Sequence, residues 1–208
     1  VHDPSMKPSL ILINPWIYDF AAYDLWSKPL GLLMLAADLR QRGFQVHLMD
    51  CLDVDHPAMI QRSSLKPPKR RQYGTGKFWR QIVPKPIPLK EINRPYSRYG
   101  ILPEIFENDL RRVKSPSAIL VTSLMTYWYP GVFEAIRRAR KIHPEVPVIL
   151  GGVYARLCRD HAVQFSGADR VVSGQGIPPY MKPLKIPEFP SPMKHLTPPC
   201  PFIRLLTC

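Results

Sequence analysis

Short apolar runs alternate with amphipathic segments along most of this chain. The apolar runs predict five strands, at residues 9–14, 44–50, 118–124, 146–150 and 168–173. Helical spacing of apolar residues predicts helices at 29–42, 102–114, 131–142 and 157–165. Strands this apolar are typical of a parallel sheet that is buried on both faces. The alternation therefore predicts an α/β fold, a flavodoxin-like doubly wound parallel five-stranded sheet in the order 2-1-3-4-5.

Proline interrupts this pattern in two places. It accounts for 25 of the 208 residues, well above the usual share of about 5%. Seven prolines lie in residues 57–95 and nine in residues 178–201. Because proline fixes φ and lacks an amide donor, neither stretch can form an interior helix or a central strand. We therefore expect one domain over residues 8–176 with a long insertion at 52–100, followed by a proline-rich tail at 177–208.

The positive charge is concentrated in the insertion. The chain has a net charge of +13, and residues 62–98 contain eleven Lys or Arg and one acid, Glu91. The aromatic residues Tyr73, Phe78 and Trp79 lie among these cations. Cations interleaved with aromatics are what contacts with phosphates and bases require. One interpretation of residues 62–98 is therefore a nucleic-acid or anionic-partner binding module, and the other is a solvated loop that docks on an acidic partner.

Several protein classes are excluded by absent patterns. No apolar run reaches the roughly 18 residues of a membrane span, and no signal-peptide pattern opens the chain. Four cysteines are too few for a disulfide scaffold, so we expect a cytoplasmic protein. The chain lacks the G-x-G-x-x-G, P-loop and G-x-S-x-G motifs, which argues against a nicotinamide enzyme, a P-loop ATPase and a serine hydrolase. No two histidines stand four residues apart, and the residues alone predict no metal site.

The loops that follow the strands are the candidate binding region. In a doubly wound sheet, ligands bind at the carboxyl ends of the strands. The loop after the first strand contains five aromatic residues, Trp16, Tyr18, Phe20, Tyr23 and Trp26. These residues suit contact with a large flat ligand or a protein partner. The alternative is that they cover the sheet edge as part of the core. Asp50 and Asp53 follow the second strand and fit a turn and cap better than acid–base chemistry.

The later loops combine hydroxyl and glycine residues. Ser123 and Thr126 could bond a ligand or cap the next helix. Gly151, Gly152 and Gly174 lie at the ends of two adjacent strands, where a missing Cβ lets the backbone approach a ligand closely. Together these loops predict a shallow cleft for a bulky ligand.

At these loops the chain resembles the cobalamin-binding domain at the N-terminus of cobalamin-dependent radical SAM proteins. The resemblance covers roughly residues 8–176, and it rests on the segments 13–20, 26–31, 50–53, 95–100, 122–131, 150–155 and 166–169. It implies a corrin ring over the strand ends, with the nucleotide tail reaching into the sheet edge. The positions that match the family's cobalamin contacts are Asn14, Pro15, Ser123, Leu124, Thr126, Gly151, Gly152, Gly174 and Gln175.

The resemblance also implies a parent enzyme. In the family, a partial β/α barrel follows this domain and carries Cys-x3-Cys-x2-Cys, which binds a [4Fe–4S] cluster for SAM cleavage. Such enzymes transfer methyl groups or rearrange radicals. The barrel is one expected partner of the basic insertion.

The chain departs from the family pattern at three points. Cys200 resembles the start of the cluster loop, but residue 204 is Arg and the next cysteine is Cys208. The Asp-x-His-x-x-Gly motif of cobalamin-dependent mutases is absent, so no histidine of that motif would ligate the cobalt. Gln175 stands where the family has an acid. We therefore expect a truncated or degenerate radical SAM chain with its cofactor domain present and no catalytic residue of its own, inert when isolated.

Overall fold

The computed structural model describes residues 7–25, 28–62 and 66–174. The described strands are β1 (Ser9–Asn14), β2 (Ile17–Asp19), β3 (Tyr23–Asp24), β4 (Gln45–Asp50), β5 (Gly76–Lys77), β6 (Arg80–Ile82), β7 (Ser97–Tyr99), β8 (Ala118–Val121), β9 (Val148–Leu150) and β10 (Arg170–Val171). The described α-helices are α1 (Leu30–Gln41), α2 (Pro57–Ile60), α3 (Pro103–Arg112), α4 (Tyr129–Ile142), α5 (Val153–Leu157) and α6 (Arg159–Phe165).

Five of these strands form one parallel sheet in the order β4-β1-β8-β9-β10. Numbered along the chain, these five strands have the order 2-1-3-4-5, so the predicted flavodoxin-like topology is confirmed. The first strand has the predicted bounds, and β10 is shorter than predicted. In the register between the first two strands, Asn14 lies beside Asp50 at the carboxyl edge.

The sheet is covered on both faces because alternate side chains of β1 enter two different apolar clusters. Leu10 and Leu12 pack in a cluster with residues of α1. Ile11 and Ile13 belong to a larger cluster that contains residues of α3 and α4. This period of two, combined with apolar residues on both faces, is what a fully buried strand requires.

The proline-rich insertion is folded in its described parts. Its strand β7 pairs antiparallel with β6 on one side and, on the other, with β2, which directly follows the first strand of the main sheet; β5 pairs with β3. Phe78 and Trp79 are buried in the same cluster as Ile11 and Ile13. The insertion is therefore part of the main core, and its prolines lie outside the strands.

Two details correct the sequence-based expectations. The helix predicted at 157–165 begins at Arg159 as α6, and a separate helix, α5, precedes it, because Cys158 adopts φ −123° and ψ 46° and interrupts the helical backbone. The strand predicted at 118–124 ends at Val121, and residues 122–125 form a loop before a 3-10 turn at Thr126–Trp128. The predicted tail lies outside the described residues. In the described ranges, no helix has the length and apolar character to cross a membrane.

Candidate functional site

Asn14 holds the end of β1 against the neighbouring strand and leaves one acceptor unused. Its side chain is 1% exposed, and its Nδ2 donates to Asp50 Oδ1 at 2.7 Å. The same Asp50 oxygen accepts the backbone N–H of Leu52 at 3.0 Å. Asn14 Oδ1 is buried and has no hydrogen-bond donor among the described residues. A buried carbonyl oxygen without a donor is uncommon in folded proteins and marks a position where a ligand or water can bind.

A small pocket lies beside this asparagine. Three of its lining residues were predicted from the sequence, namely Asn14, Pro15 and Leu124. Leu52, Met125 and Trp128 also line it and were not singled out as site residues. The lining side chains are mostly apolar, and Asn14 is the lining residue with an amide side chain. Such a pocket fits a small hydrogen-bond donor group on an otherwise apolar ligand.

Ser123 organises the next two loops from within the protein. Its side chain is 1% exposed, and its Oγ donates to the Gly151 carbonyl at 2.7 Å. The same oxygen accepts the backbone N–H of Tyr154 at 3.1 Å, at the start of α5. The sequence left open that Ser123 caps the next helix in the chain, but α4 has no side-chain cap. The hydroxyl instead binds an N–H in the first turn of α5, the helix after β9. Ser123 therefore shapes the site through the glycine loop.

The two glycines after β9 have different surroundings. Gly152 has φ +91°, and a Cβ there would lie 2.4 Å from the Ser123 carbonyl oxygen and 2.5 Å from its nitrogen. A Cβ on Gly151 would meet no heavy atom within 4 Å. Gly152 is therefore required by packing, whereas Gly151 borders open space at the strand ends. Gly174 likewise borders open space.

The remaining predicted positions are dispersed along the same edge or lie beyond the described residues. Thr126 is half-buried at the start of the 3-10 turn. Gln175 and Cys200, together with Trp26 of the first loop, lie outside the described residues. The structure thus brings Asn14, Pro15 and Leu124 to one pocket.

The aromatic residues of the first loop have separate roles. Trp16 is 1% exposed and donates its Nε1–H to the Ile101 carbonyl at 2.7 Å, so of the interpretations left open for it the structure favours a core residue, which also borders the pocket beside Asn14. Asp19 Oδ2 accepts the Nε1–H of Trp128 at 2.9 Å. That hydrogen bond joins residues 109 positions apart, which explains why no local pattern marked Trp128 as a site residue.

A second aromatic cluster flanks the candidate site. It consists of Tyr129, Phe133, Tyr154, His161 and Phe165, whose ring centroids lie 4.8–6.2 Å apart in the contacting pairs. The Tyr154 hydroxyl lies 2.6 Å from His161 Nδ1. Burial, with smaller effects from Cys158 and Tyr129, raises the pKa of Tyr154 to about 12. Tyr154 thus remains a neutral phenol at pH 7, and the cluster packs α4, α5 and α6 together.

The described ionisable residues form neither a thiolate site nor a metal centre. Burial, reinforced by the nearby Asp50 carboxylate, raises the pKa of the Cys51 thiol well above its ordinary value. Cys51 is therefore an inert core residue. Over the described ranges, His, Cys, Asp and Glu do not gather in a group of three or more that could hold a metal ion. Asp53 Oδ1 accepts the backbone N–H of Asp55 at 3.0 Å, which is the turn role expected for it.

Comparison with known proteins gives a distant structural likeness. No family model matches the chain. No curated protein matches it either. Among solved structures, the chain is similar to a novel cobalamin-binding protein from Desulfitobacterium hafniense DCB-2, with a TM-score of 0.41 and 13% sequence identity. The alignment covers 79% of this chain and 52% of that one, so this chain spans about half the length of that structure. A likeness this distant leaves the function to be argued from the site.

Proposed function

We propose that residues 8–176 bind cobalamin over the carboxyl edge of the parallel sheet, as the cofactor domain of a radical SAM enzyme. The observation that carries this proposal is the buried Oδ1 of Asn14, which faces no donor among the described residues and belongs to a residue that lines a small pocket at the end of β1. A hydrogen-bond donor from a ligand is what this oxygen lacks.

The chemistry of cobalamin fits this pocket. The corrin ring carries primary amide side chains, each of which ends in N–H donors. The pocket is far too small for the ring itself, so at most the N–H end of one such side chain would enter it. We assign Asn14 to accept the amide, with Pro15 and Leu124 as the apolar walls beside it. Gly151 then lies under the ring, because its surroundings are open and a side chain there would project into the same space.

Other predicted residues support the site indirectly. Ser123 and Gly152 hold the loop after β9 in place through the contacts described above. Bound cobalamin supplies a cobalt ion able to carry a methyl group or to take part in radical chemistry. The cluster and SAM of such an enzyme belong to its barrel domain, so we assign this chain cofactor binding and no catalytic residue.

Retention of hydroxocobalamin tests the proposal. The purified protein is incubated with hydroxocobalamin and desalted, and the visible corrin absorption that remains is measured. We expect the wild-type protein to retain the pigment and Gly151→Val to weaken retention at least tenfold, because valine fills the space over the strand end. Gln45→Val is the matched control, since Gln45 is exposed at the opposite edge of the sheet; its retention should equal that of the wild type.

Two results would contradict the proposal. One is a colourless wild-type protein whose circular dichroism shows a folded α/β domain. The other is equal retention by Gly151→Val and the wild type, which would place any bound cobalamin elsewhere. Asn14→Ala tests the proposed contact itself. Loss of one hydrogen bond to the ligand, about 1 kcal/mol, should weaken the affinity for hydroxocobalamin roughly fivefold to tenfold.

A further inference from the structure

The basic insertion forms a small sheet with the loop that follows β1. Tyr23 pairs with Lys77 and Asp24 with Gly76, while Arg70 forms a bridge to Gly76 from the other side. The Lys77 N–H donates to the Lys69 carbonyl at 3.0 Å. The strand Gly76–Lys77 therefore lies between residues 23–24 and residues 69–70, and Lys69, Lys77 and Tyr23 stand side by side across three strands.

Residues that stand opposite one another across antiparallel strands project to the same face. Lys69, Lys77 and Tyr23 therefore share one face, and all three are exposed. Arg71 joins them, because its Cζ lies 5.7 Å from the centroid of the Tyr23 ring. We call these four residues, Tyr23, Lys69, Arg71 and Lys77, the basic face.

The only carboxylate within these paired segments lies on the other face. Asp24 is 4% exposed and pairs with Arg70 at 2.7 Å. The described ion pairs do not include Lys69, Arg71 or Lys77. Like charges directly opposite on a sheet are destabilising, so Lys69 and Lys77 oppose the stability of this sheet. An anion bound between them would remove that repulsion.

A second aromatic ring stands at the tip of the same hairpin. Tyr73 is 78% exposed and has φ +63°, a backbone conformation that is rare for a bulky side chain. The turn around it is closed by a 2.7 Å hydrogen bond from the Arg71 N–H to the Thr75 carbonyl. This turn presents the Tyr73 ring to solvent next to Arg71. Strained residues of this kind concentrate at binding and functional positions.

We propose that the basic face and Tyr73 bind single-stranded nucleic acid. Lys69, Arg71 and Lys77 contact backbone phosphates, and unpaired bases stack on Tyr23 and Tyr73. A duplex keeps its bases stacked inside and would use only the cations. An acidic protein would likewise use only the cations, whereas unpaired bases can also stack on the exposed rings of Tyr23 and Tyr73. The proposal concerns a surface different from the cobalamin pocket and does not depend on cobalamin binding.

Fluorescence anisotropy with a labelled strand of about 12 nucleotides, a length within the site sizes of single-strand binders, tests the proposal. Affinity is measured over a series of salt concentrations for the full chain and for variants. Lys69→Ala with Lys77→Ala should reduce the slope of log K against log salt by about 1.4, because each lost phosphate contact contributes about 0.7 on a single strand. Tyr73→Ala should weaken binding about tenfold and leave the slope unchanged, since stacking releases no counterions.

The control variant removes the same charge elsewhere in the insertion. Lys90→Ala with Arg94→Ala takes two exposed cations from outside the basic face, and its affinity should stay within about twofold of the wild type. Circular dichroism confirms that each variant is folded. The proposal is overturned by equal losses in the two double variants, by equal affinity for a duplex of the same length, or by polyglutamate competing as well as the unlabelled strand. The last result would assign the surface to an acidic protein partner.

Discussion

At the scale of single residues, two adjacent glycines illustrate how the same amino acid serves different purposes at the strand ends. Gly152 has a positive φ, and a Cβ at this position would lie only 2.4 Å and 2.5 Å from the backbone oxygen and nitrogen of Ser123. Gly151 has neither constraint. Gly152 is needed for the loop to adopt this conformation, whereas the space beside Gly151 is available to a ligand.

Alanine substitutions at these two glycines should therefore have unequal effects on stability. Gly152→Ala forces a left-handed backbone and a backbone clash, and should lower the free energy of unfolding by about 2 kcal/mol or more. Gly151→Ala should change it by less than about 0.5 kcal/mol. Urea unfolding followed by circular dichroism measures both. Similar losses in the two variants would show that the loop tolerates no side chain at either position.

At the scale of elements, α3 and α4 are joined by a charged network centred on Arg138. Its Nε donates to Glu134 at 2.6 Å, and its Nη1 donates to Glu107 on α3. Arg111 also contacts Glu107, at 3.2 Å. Burial alone would raise the pKa of Glu107, but the hydrogen bond and charge of Arg138 outweigh that effect and hold the pKa below its usual value. The ionised carboxylate therefore links the two helices.

The contribution of Glu107 to stability should disappear in acid. Because its pKa is lowered in the folded state, the stabilisation is present above the unfolded pKa of about 4.3 and is lost as the pH falls through the folded value. At pH 7, Glu107→Gln should cost about 1–3 kcal/mol of unfolding free energy. The difference between variant and wild type should shrink steadily below about pH 4.

A matched control for this measurement lies on the same helix. Glu104 pairs with Arg62 at 3.2 Å, and its side chain is 53% exposed. Exposed ion pairs contribute little to the free energy of unfolding, so Glu104→Gln should lower it by less than about 0.5 kcal/mol at any pH. A Glu107→Gln penalty that stayed constant down to pH 3 would show that packing, and not charge, joins α3 to α4.

At the scale of the whole molecule, the insertion and the parallel sheet share one core. Trp79 is 5% exposed, belongs to the cluster that contains Ile11 and Ile13, and donates its Nε1–H to the Val54 carbonyl at 2.9 Å. An element whose apolar residues fill the main core cannot unfold without exposing that core. The insertion should therefore unfold together with the sheet.

Truncation of Trp79 tests this cooperativity. Trp79→Ala should lower the free energy of unfolding by about 3–5 kcal/mol, as expected for a large buried aromatic. In the wild-type protein, far-UV circular dichroism and tryptophan fluorescence should report one coincident transition. Ile82→Ala, at a side chain 62% exposed in the same insertion, should have little effect. A separate early fluorescence transition would show that the insertion unfolds by itself.

Part of the candidate site was predictable from sequence because it follows from topology. Once the parallel sheet is recognised, the residues after each strand must meet at one edge, and the structure does bring Asn14, Pro15 and Leu124 to one pocket. Trp128 was missed because its partner, Asp19, is 109 residues away. The sequence left open whether Trp16 is a core residue or a ligand contact, since its hydrogen-bond partner, Ile101, is 85 residues away.

The sequence alone determined the five-stranded sheet, its strand order and the position of the charge, because these depend on local periodicity and on composition. The tertiary structure decided which glycine is structural, which asparagine oxygen lacks a donor, and which face of the insertion collects Lys69, Arg71 and Lys77. Those properties arise from contacts between segments far apart in the chain. These properties cannot be predicted from a local sequence pattern, because the register and packing that produce them exist only after the chain has folded.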